Sequence, residues 1–315
     1  CPPFLILREG NTRMWFKNLQ LFRFTKPFGK TAEELNSLLQ ENPLDGCGKL
    51  EQVALGWLPP VGRNTTSFVH AANGCIMICL GIEEKIMPAA AVKDMLESRA
   101  EEQEDKLGHK LSRHEKNQLK DEVVHDMLPR AFTQKQKIYA YIDTKNNWLV
   151  VDSVSRKKAE DFAEFLRMSI GTLPVAPPDV NTSPSTTMTS WLTKGAPSNI
   201  VLESECELQH PDKESGTARF KNMDIAADEV TAHINTGKYV TKVAINWHDK
   251  VSCVVTQELE FKRLRFGDAV IEEAADQGGE TDEQRFDADF AIMTYELSVF
   301  VSAVFELFGG LTAAD

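Results

Sequence analysis

The pattern of apolar and polar positions predicts an α+β fold assembled from hairpins and antiparallel sheets with packed helices. In "MWFKNLQLFRF" the alternation from Leu19 to Phe24 predicts a strand. Thr31, with Glu34 three residues on, forms a capping box for a helix running to about Gln40. "GWLPPVG" reads as a rigid turn. In "SFVHAANGCIMICLGI" two apolar runs flank Asn73-Gly74, a pair that supplies the positive φ angles of a tight hairpin turn. A second hairpin joins "KIYAYID" to "WLVVDS" around Lys145-Asn146-Asn147, and a helix then runs from about Ser155 to Ile170 with Gly171 as its C-cap. "TLPVAPPDVNTSPSTT" is rich in Pro, Ser and Thr and predicts a boundary or long connection. Beyond it, "NIVLESECEL" and "ARFKNM" read as strands, Ala226 to Asn235 as a helix, "YVTKVAINW" with "VSCVVTQ" as a third hairpin, and "LEFKRLRF" as a further strand.

Two segments break this rhythm. From Ala89 to Leu128 apolar positions are sparse and Glu, Lys, Asp and Arg are dense. Gly108 interrupts the run, Ser112 with Glu115 restarts it through another capping box, and Pro129 stops it. The prediction is a projecting pair of charged helices, serving either as a solvated helix pair or as a docking unit. The terminal "RFDADFAIMTYELSVFVSAVFELFGGL" is apolar on nearly every side of a helix and requires burial, in the core or at a subunit interface. Glu296 and Glu306 within it argue against a membrane span. The expected organisation is a vector-derived scar at 1–13 with Met14 as native start, an α+β part at 14–87, a helical insertion at 88–130, the continued body at 131–178, and a C-terminal α+β part at 179–315.

Charge sharpens the functional reading. The formal net charge of the 315 residues is -12, yet nine acids and one arginine between Asp268 and Asp289 hold -8 of it, leaving -4 for everything else. That segment reads as a solvated acidic loop, and a basic surface elsewhere is allowed. The six cysteines include no C-x-x-C pair and read as free thiols, Cys75 and Cys79 lying in an apolar strand. "GCGK" at Gly46 to Lys49 lacks the upstream glycine and the Ser/Thr of a phosphate loop. "DAD" at Asp287 to Asp289 reads as a helix start rather than a metal pair, because residues two apart do not share a helix face. No nucleophile elbow, paired acid spacing or zinc spacing is found; the expectation is a protein without enzyme activity, cofactor or metal.

Cations at turns, at helix starts and beside aromatics give the candidate interface. "PRAFTQKQK" offers Arg130, Phe132, Lys135 and Lys137; "SRKKAED" offers Arg156, Lys157 and Lys158 at a helix start; "FKNMD" offers Lys221 and Asn222; "NTGKYVTK" offers Lys238 and Lys242; "TARFKN" and "FKRLRF" place further cations beside aromatics on strands. Lysine and arginine neutralise phosphates, an aromatic ring stacks on bases, and helix-start amides favour anions. Phe132 follows the helix-stopping Pro129 and is expected on an exposed turn. No base-reading motif is present, so binding without sequence preference is expected.

"MWFKNL", "GWLPPVG", "HAANG", "EEKIMP", "LKDEVVHDMLPRAF", "KKAEDFAEFLRMSIGTLPV", "HINTGKYVTK" and "QRFDADFAIMTYEL", spread from Met14 to Leu311, resemble the RdgC family of bacterial recombination-associated proteins. The resemblance implies a cytoplasmic, nucleoid-associated protein that is not an enzyme. It would bind single- and double-stranded DNA, restrain RecA-promoted strand exchange, and close as a homodimer into a ring around the duplex. By matching motif, the family's functional aromatic falls on Phe132, its basic residue on Lys238, and the polar pair implicated in ring closure on Lys221-Asn222. Here Asn222 stands where the best-known member has Gln, and Phe220 replaces a Lys. The alternative reading is a scaffold whose charged helices bind a recombination partner such as a RecA-type recombinase, with DNA contact secondary. A metal-dependent nuclease rests only on the acidic residues.

Overall fold

The computed structural model describes residues 14–62, 65–212 and 216–312; the 1–13 segment read as a scar lies outside the described residues. Among the described residues twelve strands form two antiparallel sheets, accompanied by eight α-helices. The first sheet has seven strands: β1 (Gln20–Phe24), β2 (Val53–Leu58), β3 (Val69–Ala72), β4 (Cys75–Ile86), β5 (Phe132–Asp143), β6 (Trp148–Val151) and β7 (Val175–Ala176). They follow the order β2-β4-β5-β6-β1-β7, with β3 also paired to β4. The second sheet, of five strands, comprises β8 (Ile200–Gln209), β9 (Thr217–Lys221), β10 (Tyr239–Trp247), β11 (Val251–Thr256) and β12 (Phe261–Phe266) in the order β12-β11-β10-β8-β9.

Both faces of the first sheet are covered over its central strands, which explains why these read as continuous apolar runs. Ile76, Ile78 and Leu80 of β4 face one core, closed by α1 (Ala32–Leu39) and α4 (Arg156–Ile170). Cys75 and Met77 face the other, shared with the second sheet and with α8 (Asp282–Leu307). The two-residue period of an extended chain sends alternate side chains into opposite cores. Leu21 and Phe22 of β1 divide in the same way.

Local signals built the elements they promised. Thr31 and Glu34 exchange hydrogen bonds as the N-terminal box of α1. Asn73 and Gly74 take φ of 54° and 89° in the β3–β4 turn. Gly171 closes α4, whose N-cap is Ser155. Cys75, Cys79, Cys206 and Cys253 are buried free thiols, and burial pushes Cys75 and Cys79 up to about 12, which leaves them unreactive.

Three expectations need correction. Gly56, Trp57 and Leu58 of "GWLPPVG" are the end of β2 rather than a turn. The indole of Trp57 is buried against Phe162 and Phe165 and donates to Ser169 Oγ at 2.9 Å, so packing holds the chain extended up to Pro59. The Pro/Ser/Thr-rich connection contains β7 and then α5 (Pro184–Lys194), which buries Met188, Trp191 and Leu192. The acidic segment is not a loop throughout: Asp268–Gln277 form α7, tied to α8 through buried Val270, Ala274 and Ile292.

The remaining helices are α2 (Ala89–Leu107), α3 (Arg113–Met127) and α6 (Asp228–Asn235). Helices α2 and α3 meet across Gly108, whose φ of 69° provides the left-handed cap. They pack through a small cluster of their own, Leu96, Ala100, Leu111 and Leu119, and through Arg99–Asp126 at 2.8 Å. At their junction the Glu104 carboxylate accepts from Leu111 N–H at 2.9 Å, with Lys116 Nζ at 3.5 Å. The Leu111 amide and then Lys116 hold its pKa below the usual carboxylate value. A depressed folded-state pKa contributes stability above the unfolded value of about 4.3 and loses it as pH falls through the folded value. Amide protection in α2 and α3, corrected for the intrinsic exchange rate at each pH, is therefore expected to fall in acid before protection in β4 does. Glu104→Gln should flatten that pH dependence; an unchanged profile would show the contact to be inconsequential.

Candidate nucleic-acid interface

The "PRAF" stretch folds differently from the exposed turn expected. Leu128–Arg130 make one 3-10 turn, and Phe132 already belongs to β5, paired with Ile86 of β4. The cross-strand ladder from Ile86↔Phe132 to Cys75↔Asp143 is unbroken and extends the strand through the polar "TQKQK". Phe132 is nonetheless 85% exposed, the most exposed of the large apolar side chains among the described residues. Beside it lies a cavity of about 540 Å³ lined by Ile86, Met95, Met127, Arg130 and other residues.

Strand geometry separates the cations of this stretch from the ring. Phe132, Gln134 and Gln136 share the face of Ile138, whereas Lys135 and Lys137 share the opposite face with Tyr139. Lys135 sits 3.5 Å from Glu83, its cross-strand partner. Arg130 in the adjoining turn is exposed near Phe132. On the Phe132 face, Lys158 at the start of α4 donates to Gln136 Oε1 at 3.2 Å, bringing the "SRKK" cations to the same side of the sheet. Within that group Arg156 pairs with Glu160 at 2.9 Å, while Lys157 and Lys158 are exposed and have no carboxylate partner among the described residues.

A second basic surface lies on the outer face of the five-stranded sheet. Glu205 and Glu207 of β8 point away from the core that takes Cys206 and Leu208. Glu205 is approached by Lys221 at 3.8 Å and Arg263 at 2.6 Å, Glu207 by Arg219 at 2.7 Å and Lys242 at 2.9 Å. Burial would raise the Glu207 pKa, but hydrogen bonds from Lys242 and Arg219 outweigh it and hold the carboxyl below its usual value. Two carboxylates shared among four cations leave this face cationic, although each cation is already engaged.

Arg219 and Arg263 fall in "TARFKN" and "FKRLRF", stretches marked as cationic in the sequence although these two residues were not named as contacts. The signal was present in "SECEL", where Glu205 and Glu207 flank buried Cys206 and therefore share one face that requires counterions. Asn222 follows Lys221 in a left-handed turn with φ of 55°, beside Glu203 and Ser204. Lys238 lies between α6 and β10, and its N–H donates to His233 O at 3.2 Å. Phe132 and the "SRKK" group thus belong to the first sheet's surroundings, and Lys221, Asn222, Lys238 and Lys242 to the second's.

Comparison with known proteins agrees over the same span. A family model described as "Putative exonuclease, RdgC" matches residues 14–311. The Recombination-associated protein RdgC of Tolumonas auensis is 43% identical over 298 residues, covering 94% of this chain and 99% of its own. Its namesake from Aeromonas hydrophila is 41% identical over 298 residues, with 94% and 98% covered. That from Yersinia enterocolitica is 38% identical over 298 residues, again with 94% and 98% covered.

Proposed function

Because the chain belongs to the RdgC family, whose curated relatives are named recombination-associated, we propose that it binds single- and double-stranded DNA without sequence preference and encloses it as a ring-shaped dimer. In this role it would act at the nucleoid in the cytoplasm and limit access of a RecA-type recombinase to DNA.

The observation that carries the reading is Phe132: a phenylalanine 85% exposed at a strand end, with Arg130 beside it. Leaving such a ring in water forgoes about 1.5–3 kcal/mol of burial, a cost that a binding partner recovers. Lys157 and Lys158 extend the cationic character on the same side of the sheet.

The exonuclease wording of the family description invites a catalytic alternative. Among the described residues no three of His, Cys, Asp and Glu stand together as a group able to hold a metal ion. The scaffold alternative is favoured by α2 and α3, which have a small cluster of their own and an exposed, mixed-charge surface.

One experiment separates these readings. Complexes assembled on closed circular and linear duplexes of equal length are challenged with excess competitor, with magnesium present. A ring slides off linear ends but must open to leave a circle, so longer lifetimes on the circle with intact DNA are expected. Equal lifetimes would remove the ring, and progressive shortening of the linear DNA would restore the nuclease.

Phe132→Ala tests the named contact. The variant is expected to lose about 1–3 kcal/mol of DNA affinity. Its thermal midpoint should be unchanged, since an exposed ring contributes little to the fold. Sedimentation of the same variant reports whether the ring acts on DNA directly or across the subunit boundary. A large fall in thermal midpoint would instead make Phe132 a packing residue.

A further inference from the structure

We infer that the shelf between β2 and α4 is a docking groove for a basic-flanked amphipathic helix of another protein. Three observations carry it: an uncovered apolar floor, a helical wall, and an acidic rim.

The floor lies on the α4 side of the first sheet. Leu55 pairs with Ile82 and Trp57 with Leu80, so Val53, Leu55 and Trp57 share the face that packs on α4. Trp57 is covered, but Val53 and Leu55 are 44% and 43% exposed, leaving a groove of about 380 Å³ beside α4. Phe165 and Met168 form its wall, and Met168 is 75% exposed although it faces other apolar groups. On the outward edge of β2, Trp57 exchanges hydrogen bonds with Asn42 and Leu44, while among the described residues Val53 and Leu55 have no backbone partner on that side. The far side of the groove is therefore open.

Its shape and charge select the occupant. A sheet floor meeting a parallel-sided helical wall is the setting in which a neighbouring helix packs, about 8–10 Å from the first. The apolar positions along it would take residues spaced i, i+3, i+4 and i+7 on the incoming helix. Among the described residues Glu84, Asp161 and Glu164 line the groove with Lys158 as the one cation, a surplus of two negative charges on the rim. Phosphates are repelled from such a rim, and two copies of this chain placed face to face would oppose like charges. Lysine or arginine flanking an apolar stripe is the complementary chemistry. Helix α4 would thus be divided, with cations at its start and an acidic, apolar flank further along.

The test titrates the intact protein into a fluorescent 18-residue helical peptide with a leucine stripe flanked by lysines, read by anisotropy. The same peptide with glutamates for lysines, and with a central proline, are the comparisons. Saturable binding is expected for the first, at least 10-fold weaker binding for the other two. Met168→Glu and the double variant Asp161→Asn/Glu164→Gln should each weaken it at least 10-fold. Thermal midpoint should stay unchanged, since these side chains are exposed, and DNA affinity should not fall; loss of two acids within two turns of Lys158 should if anything raise it. Equal binding of all three peptides, or full retention by both variants, would overturn the inference. Conversion of a dimer to monomer by Met168→Glu would assign the groove to a second copy instead.

Discussion

Raising monovalent salt from 50 to 200 mM is expected to weaken duplex binding several hundred-fold. Of the nine candidate cations, Lys135, Arg156, Lys221 and Lys242 stand against carboxylates. A lysine leaving a glutamate for a phosphate frees counterions from DNA, but the bared carboxylate gathers cations back, so such residues add little to the salt response. Among the described residues Arg130, Lys137, Lys157 and Lys158 stand against no carboxylate and are the principal contributors, and Lys238 is counted as a fifth on its place in the family's motif. Five neutralised phosphates give a log–log slope near -4.5, and a fourfold rise in salt then costs roughly 500-fold in affinity. Lys238→Ala should reduce the slope by about one unit without altering the thermal midpoint. A flat response, or a strong preference for one DNA sequence, would leave the phosphate-neutralising reading without support.

Phe300→Ala is expected to cost about 3–5 kcal/mol of folding stability, the range for deleting a buried aromatic ring. Phe300 is fully buried in α8, with its ring 5.6 Å from Trp247 and 5.4 Å from Phe261, both edge-on. It lies in the core shared by both sheets, so the resulting cavity should lower the midpoint of the whole molecule, on the order of 10 °C. Thermal unfolding checks this, together with DNA affinity of the folded fraction, which should not change. A loss under about 1 kcal/mol would mean that the surrounding rings close the cavity, at variance with close packing. Helix α8 is apolar enough by length and composition to cross a membrane. Its burial between the sheets, with Glu296 accepting from Lys250 at 2.7 Å, accounts for that composition within a core.

Elements announced by neighbouring residues were legible. The Thr31–Glu34 and Ser112–Glu115 boxes, the Asn73-Gly74 turn and the Gly108 and Gly171 caps each act within one turn of chain, and each occurs where the sequence placed it. Helices α5 and α7 were masked by composition. In α5, Pro184 marks a first helical turn rather than a break, and Met188, Trp191 and Leu192 are the apolar stripe behind the Ser/Thr background. In α7, Val270 and Ala274 four apart carry the helical period beneath the acids. The strand at Phe132 was hidden because "TQKQK" has no apolar alternation and owes its conformation to its ladder with β4.

Of the site, residue types were legible and their groupings were not. Phe132 was expected exposed beside Lys135 and Lys137, and the two-residue period of the strand, once recognised, puts them on opposite faces. The carboxylates that engage Lys221 and Lys242 belong to β8, and that pairing depends on register shifts between β8 and β10 that no local pattern encodes.

The β4–β5 ladder has a topological consequence. Its last rung joins Ile86 to Phe132, so the polypeptide departs for α2 and returns from α3 at adjacent points. The whole excursion is a detachable module: its length and sequence can drift, or be exchanged for a two-residue reverse turn, without shifting the register of any strand beneath it. Evolution can therefore retune that appendage independently of the platform, at the very rung that carries the exposed phenyl ring.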